Sequence, residues 1–316
     1  MPIPDFQDRP VLVTGGAGFI GSHLVDALVE RGGRVRVLDN LSTGLAGNLA
    51  HLEGKIELLE GDLRDAEVCR RACDGVERVF HQAALGSVPR SMKDPATSFA
   101  VNVSGTANLF AAARDAGVVR LVYASSSSVY GDHPELPKRE GREGAVLSPY
   151  AMSKRMNEEL ADIFGRSFGM ELVGLRYFNV YGPRQRPDGP YAAVIPRFFD
   201  AYREGRAPTI FGDGEQSRDF TFVADAVRAN LLASGAPAEA CGRAYNVAVG
   251  QRATLNELVG HVRRLMGGGP EAEHGEPRAG DVRHSLADLS QIRDALGYEP
   301  ENTLAMGLER TAASYR

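Results

Sequence analysis

Short apolar runs alternate with longer amphipathic stretches through the first half of the chain. The runs are Val11–Val13, Val35–Leu38, Ile56–Leu59, Val79–Phe80, Leu121–Tyr123 and Leu172–Leu175. They are apolar at consecutive positions, as strands covered on both faces are. Between most of them, at about Ser22–Glu30, Ala66–Ala72, Pro95–Ala116 and Pro149–Phe168, apolar residues recur at helical spacing. The alternation predicts an α/β fold: a Rossmann-type, doubly wound parallel sheet with helices on both sides. Right-handed crossovers then gather the C-terminal strand ends on one edge, where ligands bind.

After residue 178 the rhythm lapses. A Pro/Gly-rich loop runs from Gly182 to Pro190, followed by a helix near Arg197–Glu204. Ala244–Ala248 reads as a strand that rejoins the sheet, and Leu255–Met266 and Thr303–Ser314 as amphipathic helices. The expected division is a nucleotide-binding domain over 1–178 and a smaller mixed α/β substrate domain over 179–316.

The first run leads into glycines at Gly15, Gly18 and Gly21, and Ile20, Leu24, Val25 and Leu28 then follow at helical spacing. Strand, glycine turn and helix open a dinucleotide-binding βαβ unit. The turn must be tight, and the helix N-terminus must offer free N–H groups to a pyrophosphate. Phe19 and Ile20 stand between the glycines and are counted with this site. The second run ends in Asp39, about 20 residues on, where an acid holds the adenosine ribose hydroxyls. Asn40 and Leu41 follow, with no Arg there for a 2′-phosphate, so NAD is expected over NADP. Asp62, with Leu63 beside it, is positioned for the adenine amino group. The small residues of Gln82-Ala83-Ala84 let the chain pass close to the cofactor.

Two later stretches carry candidate chemistry. Four serines, Ser125–Ser128, follow the fifth run; hydroxyls that both donate and accept suit a sugar. Then comes Ser148-Pro149-Tyr150-Ala151-Met152-Ser153-Lys154, with Pro149 suited to a helix first turn. Tyr150 and Lys154 fall one turn apart on one face. A phenol is a poor base at neutral pH, but a nearby ammonium and a positive nicotinamide ring both favour the phenolate. Tyr150 is therefore the expected base and Lys154 its partner. His81 is expected to be a packed strand-end histidine. Arg218, amid polar and glycine residues, is a candidate diphosphate clamp.

Composition narrows the setting. The 316 residues carry a net charge of −5, so no broad basic field points to nucleic acid. No apolar run approaches the ~20 residues of a membrane helix, and the first residues do not read as a signal peptide. Cys69, Cys73 and Cys241 make neither a paired framework nor a metal set, so no metal is expected and a reducing cytoplasm is.

Thr14-Gly15-x-x-Gly18-x-x-Gly21, the Ser126/Tyr150/Lys154 set and Arg176-Tyr177-Phe178-Asn179 together resemble the extended short-chain dehydrogenase/reductase family, over essentially the whole chain. Within it the chain is most similar to nucleotide-sugar 4-epimerases, and among those to bacterial UDP-N-acetylglucosamine 4-epimerases. Ala84–Ser91, Tyr181–Arg186, Tyr191–Pro196 and Arg278–Ser285 carry that resemblance. It implies interconversion of UDP-GlcNAc and UDP-GalNAc, with UDP-Glc and UDP-Gal as a further pair, through a 4-keto sugar on retained NAD. It implies Ser126, Tyr150 and Lys154 as the catalytic set and Tyr177 against the nicotinamide. Ser87, Ser127, Asn179 and Val194 would contact the sugar or β-phosphate. Arg218 and Arg278 would hold the diphosphate, and Asp281 the uridine ribose. Ser285 would leave room for a 2-acetamido group. It also implies a homodimer through a four-helix bundle built on Pro95–Ala116 and Pro149–Phe168. UDP-glucuronate 4-epimerases share the serine run and are the alternative. Dehydratases and decarboxylases carry acids at the positions of Ser127 and Ser128.

Overall fold

The computed structural model describes residues 2–187, 192–277 and 283–315. Its centre is a seven-stranded parallel sheet. The strands are β1 (Pro10–Thr14), β2 (Arg34–Asp39), β3 (Ile56–Glu60), β4 (Arg78–His81), β5 (Arg120–Ser126), β6 (Leu172–Tyr177) and a returning strand, Arg243–Val247. The last of these pairs with β6, so the expected return to the sheet is present. β1 lies between β2 and β4, with Val13 level with Val37 on one side and Phe80 on the other. The chain's direction of winding reverses there, and a crevice opens above it.

Alternation along β1 divides the core. Val11 and Val13 face one apolar cluster and Leu12 the other, as the two-residue period of a strand requires. The first cluster is roofed by α1 (Phe19–Glu30) and the second by α2 (Ala66–Cys73). Four further helices follow. α3 (Val88–Lys93) is capped by the Ser87 hydroxyl, with proline in its first turn. α4 (Pro95–Phe99) and α5 (Gly105–Asp115) are joined by a π-turn over Ala100–Ser104, so the expected single helix is locally widened. α6 (Pro149–Phe168) has its expected bounds, opening on the Ser148 cap and Pro149 and ending at Gly169 in the left-handed conformation.

The core also draws on the second half of the chain. α7 (Val194–Arg203) is followed by α8 (Val223–Ser234), whose Ala226, Leu231 and Leu232 pack into the first cluster beside α1. α8 escaped the pattern reading because it is buried nearly all round and has no polar stripe to set its period. A third cluster, with Phe198, Phe199, Phe220 and Phe222, unites α7 with α9 (Leu255–Leu265). Ile292 and Leu296 of α10 (Ser290–Leu296) return to the sheet, whereas Leu308 of α11 (Leu304–Ala312) joins the third cluster.

Candidate active site

A cleft of about 700 Å³ opens along the C-terminal edge of the sheet. Gly15, Gly18, Phe19, Ile20 and Gly21 line it at one end. Gly15 has φ +69°, and a Cβ there would stand 2.6 Å from the Ala83 backbone nitrogen, so glycine is required. A Cβ on Gly21 would collide with the Gly15 carbonyl. Gly18 caps α1 with no side-chain hydrogen bond, and no acid stands in the first turn. The free N–H groups are left for an anionic ligand.

Asp39, Asn40, Asp62, Leu63, Gln82, Ala83 and Ala84 line the same cleft. Asp39 is held from both oxygens, accepting from the Ala17 N–H at 2.9 Å and the Leu41 N–H at 2.9 Å. Burial nonetheless raises its pKa. Asp62 accepts from the Asn40 amide at 2.8 Å and pairs with Arg64 at 2.7 Å; the Arg64 hydrogen bonds hold its carboxyl well below the usual carboxylate range. Tyr177 is fixed by donating to Gln82 at 3.1 Å and accepting from Asn230 of α8 at 2.7 Å. A dinucleotide therefore fits: a glycine cradle, an open helix N-terminus and an acid at the end of β2.

The reactive cluster faces the middle of the cleft. β5 ends at Ser126, and α6 presents Tyr150 and Lys154 from its first two turns. The Ser126 hydroxyl accepts from the Ser128 N–H at 3.2 Å and the Ser128 hydroxyl at 2.9 Å, and it shares the cleft wall with Tyr150. The expected lowering of the Tyr150 pKa by Lys154 is not what the structure shows. Burial raises the phenol, and the Ser126 side chain is the influence that lowers it. The Lys154 ammonium instead donates to the Ala124 carbonyl at 2.7 Å. Burial pushes Lys154 down to about 8, against the pull of Glu158 one turn on.

Supporting residues that the sequence did not reveal hold this geometry. The Ser91 hydroxyl of α3 accepts the Tyr150 backbone N–H at 3.0 Å. Asn102, buried in the π-turn, accepts from the Leu85 N–H at 2.8 Å and donates to Ser153 at 3.1 Å. Glu158 accepts from Ser125 at 2.5 Å and pairs with Arg176 of β6 at 2.7 Å, tying α6 to two strands. Ser87 at a helix start was an available signal for the missed α3; nothing in the local pattern marks the partners of Asn102 or Glu158. His81 behaves as expected, bonded between Thr14 (2.7 Å) and Thr106 (2.9 Å) and pushed down to about 3 by burial.

The substrate-side residues divide. Ser87 and Asn179 line the main cleft. Asn179, Val194 and Arg218 line an adjoining cavity of about 240 Å³ with Phe211 and Arg197. Arg218 donates to the Ser217 carbonyl at 3.0 Å and the Arg283 carbonyl at 3.1 Å. Two expected contacts are not brought to these walls. Ser127 lies in the 3₁₀ turn beyond β5 and lines neither cavity, because the chain turns away at Ser126. Ser285 also lines neither; its N–H donates to the Ser217 carbonyl at 3.0 Å, beside Arg218. Arg278 and Asp281 lie outside the described residues. Among the described residues no metal-ligating cluster occurs and no helix is long and apolar enough to cross a membrane.

Sheet order and glycine cradle define a dinucleotide-binding α/β protein with a Ser–Tyr–Lys cluster lining its cleft. Residues 11–248 match the model of the NAD dependent epimerase/dehydratase family, and the chain belongs to that family, with NAD as its cofactor. A UDP-glucose 4-epimerase of Mycolicibacterium smegmatis is 40% identical over 96% of this chain and 98% of its own. A UDP-N-acetylglucosamine 4-epimerase from Methanobrevibacter ruminantium M1, solved with UDP-N-acetylmuramic acid, superposes with TM-score 0.93 at 38% identity, covering 98% of both chains. A Thermus thermophilus UDP-glucose 4-epimerase solved with NAD superposes with TM-score 0.88 at 37% identity, covering 98% of this chain and 99% of that one. The nucleotide-sugar epimerase resemblance and the Rossmann-type fold are thereby borne out.

Proposed function

We propose that the protein is a UDP-sugar 4-epimerase that interconverts UDP-GlcNAc and UDP-GalNAc, with UDP-Glc and UDP-Gal as a second pair. The observation that carries this reading is the convergence of Ser126, Tyr150 and Lys154 on the cofactor cleft, with Lys154 anchored to the Ala124 carbonyl. When bound, NAD would supply a reversible hydride acceptor for sugar C4, allowing a 4-keto sugar, and a positive charge that favours the Tyr150 phenolate. Tyr150 takes the O4 proton and later returns it; Ser126 holds O4 in line with the phenol. Lys154 keeps a positive charge near the phenol and grips the nicotinamide ribose. Gly15, Gly18, Phe19, Ile20 and Gly21 receive the pyrophosphate. Asp39 and Asn40 hold the adenosine ribose, and Asp62 and Leu63 the adenine. Gln82–Ala84 and Tyr177 border the nicotinamide.

Inversion requires the ketone to turn over between hydride removal and return. Ser87 and Asn179 give the sugar few polar anchors, while the adjoining cavity with Arg218, Val194 and Phe211 takes the nucleotide end. Elimination is disfavoured, since serines stand at 127 and 128 and no acid is offered there. The preference for an acetylated sugar is supported by the likeness to the Methanobrevibacter enzyme. A uronate reading has one observation in its favour, that Arg90 and Arg186 line the cleft as possible carboxylate partners.

The protein is also read as a cytoplasmic homodimer. Met152, Met156 and Ile163 of α6 leave apolar side chains exposed at helical spacing, a face suited to a second copy, and Cys69 and Cys73 are free buried thiols. Sedimentation of a monomer at working concentration would remove the dimer. The functional test is incubation of protein purified without added cofactor with UDP-GlcNAc, followed by NMR. UDP-GalNAc formed with no added NAD supports the proposal. Unchanged UDP-GlcNAc, with UDP-glucuronate turned into UDP-galacturonate, replaces it by the uronate reading.

A further inference from the structure

Arg184 stands in the loop after Pro183, on the substrate side of the cleft, yet its side chain reaches back across the cleft mouth to α1. Its Nη2 donates to Asp26 at 2.7 Å. The other oxygen of Asp26 is bonded to His51 at 2.7 Å, which ties in the 3₁₀ segment Ala46–Leu52. One turn earlier on α1, His23 Nε2 is 2.9 Å from the Pro183 carbonyl. Two side chains of the helix that opens at the glycine cradle are thus latched to one loop of the substrate region.

Two features of Arg184 are left without purpose by the latch alone. Its φ is +64°, a left-handed backbone that residues with a Cβ rarely adopt. Such strain persists where the surroundings over-determine it, and it gathers at ligand clamps. In addition, its Nη1 is buried and has no hydrogen-bond partner among the described residues. An unpaired donor on a permanently charged guanidinium is costly, and Arg184 is one of the residues lining the cofactor cleft, with Gly18, Phe19 and Asn48.

We infer that the Arg184–Asp26 pair, with the His23–Pro183 contact beside it, is the clasp that retains NAD. The inference rests on the cofactor reading of the cleft. NAD leaves only when the loop lifts from α1, and lifting breaks the ion pair and the His23 contact together. The pair is partly exposed, with side chains 26% and 19% accessible, so retention weakens as salt rises.

The test is exchange of bound NAD. Wild type, Arg184→Asn and Asp26→Asn are purified without added cofactor, and loss of bound NAD is timed against excess labelled NAD. At 184 asparagine tolerates the left-handed backbone while removing the guanidinium, and at 26 it removes only the charge. Exchange at least tenfold faster in both variants is expected, with the swapped pair Asp26→Arg/Arg184→Asp returning toward the wild-type rate. Thermal unfolding without NAD identifies any variant that fails to fold, in which case the other carries the test. Wild-type exchange rates in a folded variant overturn the clasp. A wild type that neither carries nor binds NAD overturns the cofactor reading and the clasp with it.

Discussion

The two walls of the cleft are built differently. On the cofactor side, each expected polar group that receives the dinucleotide is locked before the ligand arrives. Asp39 has two backbone donors, Tyr177 two amide partners and Asp62 both Asn40 and Arg64. On the substrate side, the wall combines two- and three-residue strands and loops with the start of α7. Asn179, at φ +38°, donates to the Asp219 carbonyl, and Arg218 to the Ser217 and Arg283 carbonyls. The difference matches what each ligand must do. A retained cofactor needs a rigid, pre-organised bed. A sugar that must turn over needs few anchors, with binding strength placed in the nucleotide.

The largest effect that sharpens this contrast lies at the seam between the walls. Tyr150→Phe removes the proton acceptor but leaves the bed intact, so turnover should fall by about 10²- to 10⁴-fold while bound NAD stays at the wild-type level. Wild-type-like turnover would take Tyr150 out of the mechanism. A smaller, selective effect belongs to the substrate wall. Ser285→Tyr should lower activity on UDP-GalNAc by about tenfold and spare UDP-Gal. Equal loss on both would show that position 285 does not set the space for the acetamide, as its absence from the described walls already invites asking.

The smallest effect tests the rigid side through pH. His81 is neutral in the fold, pushed down to about 3 by burial from an unfolded value near 6.5. Between those values the unfolded chain binds the extra proton, so stability rises with pH across that window and falls on acidification below about 6.5. One such group contributes a slope of up to about 1.4 kcal/mol per pH unit. Urea unfolding of His81→Gln between pH 6.5 and 4 should show a correspondingly shallower decline. An unchanged slope would mean that His81 titrates normally.

The same contrast explains what could be read from the chain. The cofactor wall is local: Gly15 to Gly21, Asp39 and Gln82–Ala84 each follow their own strand, so a strand and its next few residues suffice to place them. Tyr150 and Lys154 share one helix and are equally plain. The supports are not local. Asn102 reaches Ser153, Glu158 reaches Arg176, and Asn230 reaches Tyr177 only after the sheet has formed. α8 was hidden because complete burial erases amphipathic period, and α3 because six residues are too few to show one. On the substrate wall, Ser127 is expected from the family resemblance, but the chain enters a 3₁₀ turn there and Ser127 lines neither cavity. The Arg184–Asp26 contact spans both regions, and no spacing rule joins residues 158 apart.

The most direct test of the account is the fate of hydrogen at sugar C4. UDP-GlcNAc carrying deuterium at C4 would be converted in ordinary water with no added NAD, and the product examined by NMR and mass spectrometry. The account predicts UDP-GalNAc that keeps its deuterium at C4, because the hydride leaves and returns within one closed cleft. Loss of the label to solvent would mean that C4 is deprotonated instead, and would contradict the role assigned to the cofactor bed and to Tyr150 alike.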